Sequence, residues 1–186
     1  AYQAFEEIKR AELKIDEINH QLVTRTDYES QSYSDLIEQL SDVTHHYEIL
    51  GGYNFVGQST DFYTANSHGT MVLSTMGGYV ESQLIGTAPD AKYYLFVTED
   101  AAAENPVEES YWVEAAEMAD SLGVDVINTS LGYFGYDNPN YSYTYANMDG
   151  VTSFISRGTN VAFSRGMICV SSAGNSGSSP NPYIAV

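Results

Sequence analysis

Gly123-Val124-Asp125-Val126-Ile127-Asn128-Thr129-Ser130-Leu131-Gly132 is a short apolar run that gives way to small polar residues. Such a run reads as a buried parallel strand whose carboxyl end opens into a loop, because strands covered on both faces lose the alternation of a half-exposed strand. Downstream, Gly166-Met167-Ile168-Cys169-Val170-Ser171-Ser172-Ala173-Gly174-Asn175-Ser176-Gly177 repeats the design. Two buried strands therefore deliver polar tips to one edge. In open α/β sheets the carboxyl ends of the strands are where ligands bind.

Helices are expected around these strands. Over 106–122, Trp112, Ala115, Ala116, Ala119 and Leu122 make an apolar stripe, Glu108 and Glu109 suit the positive end of the helix dipole, and Gly123 closes the segment. Residues 152–165 carry Phe154, Ile155, Val161, Ala162 and Phe163 ahead of Gly166 and read as a second helix. Strand-helix-strand repeats imply right-handed crossovers, hence a doubly wound α/β domain with a mainly parallel sheet. Between them, Tyr133, Phe134, Tyr136, Tyr141, Tyr143 and Tyr145 fill a connection longer than ordinary. It reads equally as a pocket wall for extended peptides or as an insertion packed on its own tyrosines.

Working further outward, Asn66-Ser67-His68-Gly69-Thr70-Met71-Val72-Leu73-Ser74-Thr75-Met76-Gly77-Gly78 sets a titratable imidazole at the start of a small-residue helix. That helix is expected to bury Val72, Leu73 and Met76 and to end at Gly77-Gly78. A histidine can take and return a proton near neutral pH. Read alone, His68 also fits a residue that only hydrogen-bonds locally. Gly51-Gly52-Tyr53-Asn54-Phe55-Val56-Gly57 reads as a turn into a short strand.

These segments together resemble the subtilisin-like serine peptidases. His68-Gly69-Thr70 is similar to the family's catalytic His motif, Ser130-Leu131-Gly132 to its substrate-binding strand, and Ala173-Gly174-Asn175-Ser176-Gly177 to its oxyanion Asn motif. Gly86-Thr87-Ala88-Pro89-Asp90-Ala91, followed by Tyr93-Tyr94-Leu95-Phe96-Val97, resembles the family's strand after the His helix. The likeness covers 49–186 as a partial peptidase domain. Residues 1–48, with apolar Phe5, Ile8, Leu13, Ile15, Ile18, Leu36, Ile37 and Leu40 among charges, form an irregular, helical front without a family motif.

The resemblance implies peptide hydrolysis by a Ser-His-Asp triad, with His68 as base and acid and Asn175 as oxyanion donor. Asn175 also suits a turn, where Asn tolerates left-handed backbone. Asp27, closing Leu22-Val23-Thr24-Arg25-Thr26, is the candidate orienting Asp, although Tyr28-Glu29 stands where the family has a small residue and Gly; Asp16 and Asp35 are alternatives. The family's Ser follows its Asn motif, whereas Ser176, Ser178 and Ser179 lie too close to it. No nucleophile is assigned, and the chain reads as a fragment that is inactive alone. A non-catalytic peptide-binding relative and an α/β ligand-binding domain are the other readings, the latter without the G-x-G-x-x-G of a dinucleotide site.

Seven Lys and Arg against 25 Asp and Glu give the 186 residues a net charge of -18, which argues against nucleic acid and anionic membranes as partners. The expected partner is a polypeptide substrate. His20, His45 and His46 lack carboxylates at ligand spacing, so no metal site is assigned. No cofactor is assigned either; calcium is common in the family and suits the charge, without a ligand set to name. The lone Cys169 reads as a core residue rather than half of a disulfide. No run reaches transmembrane length and the start of the chain is charged, without a signal peptide. The family resemblance implies an extracellular or cell-envelope location.

Overall fold

A computed structural model describes residues 48–63, 65–80, 82–175 and 177–178. Its elements run β1 (Glu48–Asn54), α1 (Ser67–Gly77), β2 (Tyr79–Val80), β3 (Leu84–Ile85), β4 (Lys92–Val97), α2 (Val107–Leu122), β5 (Val126–Thr129), α3 (Phe154–Ser164) and β6 (Ile168–Ser171). A 3-10 turn, Tyr145–Asn147, lies between β5 and α3. The described residues divide into two compact units, one of 48–52 and 61–95, the other of 53–60 and 96 onward.

In the first unit, α1 starts where the Asn66 side chain accepts the His68 N–H at 2.9 Å, satisfying one of the donors a helix start leaves open. Its far end is closed from outside the helix. Thr87 N donates to Thr75 O at 3.1 Å, Ala88 N to Met76 O at 2.7 Å and Gly86 N to Gly78 O at 2.7 Å. The Gly-Thr-Ala stretch is thus the cap that locks the helix carrying His68. Leu73 is buried as expected, while Val72 and Met76 are only half-buried. β2 and β3 pair antiparallel, Tyr79 opposite Ile85 and Val80 opposite Leu84. β1 and β4 form a two-stranded sheet, and Lys92 lies 2.9 Å from Glu48 on its exposed surface. β1 precedes the turn of residues 55–58, which reverses the expected order of turn then strand. Asn54 sits at its end because its side chain accepts the Gly57 N–H at 2.7 Å and fixes that turn.

The second unit is built on β5 and β6, which pair in parallel with Val126 opposite Ile168, Ile127 opposite Cys169, Asn128 opposite Val170 and Thr129 opposite Ser171. α2 and α3 lie between and beside them in sequence, so the predicted strand-helix-strand order is present. Trp112, Ala116 and Ala119 of α2 meet Ile155 and Ala162 of α3, together with Tyr133, Tyr136 and Met167. Ile127 and Cys169 pack against this cluster and are half-buried. Neighbouring side chains alternate across a strand. Val126, Ile168 and Val170 therefore fall on the other face and are 51%, 57% and 49% exposed. The strands expected to be buried on both sides are covered on one.

The helices stop close to their predicted ends. Gly123 ends α2 in a left-handed conformation, with Val124 N bonded back to Ala119 O at 3.0 Å. Ser153 starts α3 by accepting the Ser156 N–H at 3.2 Å. Their stripes are narrower than predicted: Leu122, Phe154, Val161 and Phe163 are exposed. α2 and α3 approach closely at Gly158. A Cβ on Gly158 would stand 2.6 Å from Val113 Cγ2, so the pairing excludes side chains there.

Candidate active site

Trp112 is buried and its indole N–H donates to Thr129 Oγ1 at 3.0 Å, which pins α2 to the last residue of β5. The chain then leaves the sheet as Ser130-Leu131-Gly132. Ser130 Oγ accepts from Asn128 Nδ2 at 3.1 Å. On the neighbouring strand the ladder continues one step past β6, with Ser172 N donating to Thr129 O at 2.9 Å. Ser172 Oγ donates to Leu131 O at 3.1 Å. The two predicted tips are therefore laced together at one carboxyl edge, with Ala173-Gly174-Asn175 continuing from it. Gly174 has φ 70°, a left-handed value that a side chain would strain, and Asn175 is exposed immediately after it.

His68 belongs to the first unit, exposed in the opening turn of α1. Asp27, Asp16 and Asp35, the histidines at 20, 45 and 46, and the helices expected before residue 48 lie outside the described residues. Among the described residues no three His, Cys, Asp or Glu side chains gather to hold a metal ion, and none of their helices is long and apolar enough to cross a membrane.

A network of buried carboxylates and tyrosines lies behind the Ser130–Gly132 tip, and sequence reasoning missed it. Glu108 and Glu109 are each 1% exposed. Glu109 Oε1 accepts the hydroxyls of Tyr136 at 2.5 Å and Tyr143 at 2.7 Å, and its Oε2 accepts the Ile155 N–H at 2.8 Å. Glu108 accepts Asp100 N at 2.9 Å and Asn105 N at 3.1 Å. These oxygens satisfy backbone and hydroxyl donors and do not serve mainly as dipole partners. The signal was present: both residues lie one turn ahead of Trp112 and share its buried face. The tyrosine-rich connection is likewise an insertion packed on itself at its base, with Tyr133 and Tyr136 in the core and Tyr141 and Tyr145 exposed.

Glu99, in the loop after β4, accepts the Tyr133 hydroxyl and, at 3.3 Å, that of Thr98. Burial pushes its carboxyl up to about 7, aided by repulsion from Glu108 and Glu104 and opposed by the hydrogen bonds from Tyr133 and Thr98. Burial likewise raises Glu108, against its two backbone hydrogen bonds. The Tyr143 hydroxyl is pushed up to about 12, first by burial and then by Glu109 beside it. Tyr133 and Tyr136 are raised by burial and by Glu99 and Glu109 respectively, so both remain proton donors across the physiological range.

A profile of the subtilase family (Peptidase_S8) matches residues 17–184. The alkaline protease of Alkalihalobacillus alcalophilus is 31% identical over 138 residues, 74% of this chain and 32% of that protein. Subtilisin BL of Lederbergia lenta is also 31% identical over 138 residues, 45% of its length. The chain thus spans less than half the length of these relatives. The crystal structure of MycP1 with its N-terminal propeptide removed superposes with a TM-score of 0.50 at 19% identity, over 70% of this chain and 42% of that one. That likeness shows the α/β fold of subtilisin-like proteins. With the family profile covering most of its residues, the chain belongs to the subtilase family.

Proposed function

We propose that this chain forms part of a serine endopeptidase that hydrolyses polypeptides outside the cytoplasm. Resting on the family membership, the reading is carried by one observation: the parallel pairing of β5 and β6 brings Ser130–Gly132 and the segment leading to Asn175 to the same carboxyl edge. An extended peptide lies along Ser130–Gly132, and Asn175 donates its amide to the oxygen that becomes negative as the carbonyl is attacked. His68 takes the proton of the nucleophilic serine and returns it to the leaving amine, while an Asp, with Asp27 the candidate, fixes the imidazole tautomer. The nucleophile is proposed to lie after the Asn motif, in the part of the relatives' length that this chain does not span.

The test is hydrolysis of a fluorogenic peptide by the full-length protein that carries this chain. Turnover abolished both by a serine-directed fluorophosphonate and by His68→Ala is expected. Turnover that persists in His68→Ala would defeat the assignment of the base.

A further inference from the structure

Tyr133 follows Gly132 directly and is 2% exposed, so its side chain anchors the end of the Ser130–Gly132 segment in the unit's interior. Its hydroxyl donates to Glu99, which Thr98 also approaches. At the segment's other end, Thr129 is held by Trp112 and by Ser172. Glu99 thus bonds to one of two anchors of the short, partly buried segment that follows β5. Resting on the reading of Ser130–Gly132 as the peptide-binding strand, we propose that Glu99 is a positioning residue. Through Tyr133 it holds that strand in the arrangement that receives an extended peptide.

The charge state of Glu99 sets how firmly it holds. An ionised carboxylate accepts a phenol hydrogen bond roughly twice as strong as a neutral one. Glu104, Glu108 and Tyr133 act on it from the surrounding loop, helix and insertion, with Asp100 beside Glu108 and Tyr136 beside Tyr133. These neighbours are acidic or neutral, so its titration near pH 7 follows from the site. Peptide capture is accordingly expected to strengthen as pH rises through that range.

Glu99→Gln keeps the shape and removes the charge. In the full-length protein it is expected to raise KM for a peptide by about 3- to 10-fold and leave kcat within about 2-fold, since one charged hydrogen bond becomes neutral. The pH step in KM near neutrality disappears, while the step in kcat set by the catalytic base remains. Tyr133→Phe, which removes the same bond from the other side, reproduces the rise in KM if Glu99→Gln folds poorly. Backbone amide NMR reads the role without catalysis: the Ser130, Leu131 and Gly132 signals should follow the Glu99 titration in the wild type and lose that step in either variant. An inactive full-length protein counts against the peptidase reading, and the amide signals still decide on Glu99. Signals at 130–132 that ignore the Glu99 titration, or an unchanged KM profile in an active Glu99→Gln, overturn the positioning role.

Discussion

Asn175 and Glu99 show how single side chains act by opposite means, one by exposure and one by burial. Asn175 stands exposed beyond a left-handed glycine, the position from which the proposed oxyanion role would have its amide reach an incoming carbonyl. Asn175→Ala in the full-length protein should lower kcat by about 10²-fold or more, the size that losing this donor has in subtilisin itself, with KM little changed. Full activity in that variant would return Asn175 to the role of a turn former. Glu99 is instead a carboxyl whose proton is held more tightly in the folded state, at about 7 against an ordinary 4.5. Its linkage therefore favours folding below pH 4.5 and loses that contribution as pH rises through 7. Melting temperature followed from pH 5 to 8 should fall less in Glu99→Gln than in the wild type; parallel curves would show that the carboxyl does not titrate in this window.

Among the elements, α2 and α3 pack closely where Gly158 faces Val113. Val113 is β-branched and stiff, so it cannot swing away from a methyl placed on Gly158. Gly158→Ala should cost about 1–3 kcal/mol, and Val113→Ala combined with it should recover part of that loss, as urea denaturation of the single and double variants would reveal. Strict additivity of the two would refute the clash. Glu109 ties the insertion to both helices, and Glu109→Ala would leave two hydroxyls and one N–H without an acceptor, a loss of about 3 kcal/mol or more. Retention of wild-type stability would mean that water replaces the carboxylate. These tertiary features explain what the sequence did and did not reveal. Gly123 and Gly77-Gly78 mark helix ends by local chemistry, and β5 and β6 announce themselves as apolar runs, so α2, α3 and the two tips were legible, whereas the Ser153 cap of α3 emerged only with the structure. Exposure of Phe163 and Ile168 was not, because it depends on which face a neighbouring element covers. The Glu99–Tyr133 bond joins residues far apart in sequence, and no local pattern signals it.

For the molecule as a whole, a net charge of -18 on 186 residues means that acidic groups repel one another at every distance within reach of the field. Screening shortens that reach to about 10 Å at 0.1 M salt. The melting temperature should therefore climb as NaCl rises from 0.01 to 1 M, and a flat or falling curve would show that the charges are already offset by local pairing. The exposed apolar face of β5 and β6, with Val126, Ile168 and Val170, adds a short-range attraction that the same salt unmasks, so light scattering should record association over that range. The in-register ladder has a different consequence. The crossover leaves one strand and returns to its neighbour, so the register fixes the spacing of the two tips independently of what the chain does in between. Closing a longer loop costs little extra entropy, and the outermost residues, 137–141, are exposed. That stretch can be rewritten or grafted into without disturbing the spacing of the two tips: the scaffold separates what must stay constant from what is free to change.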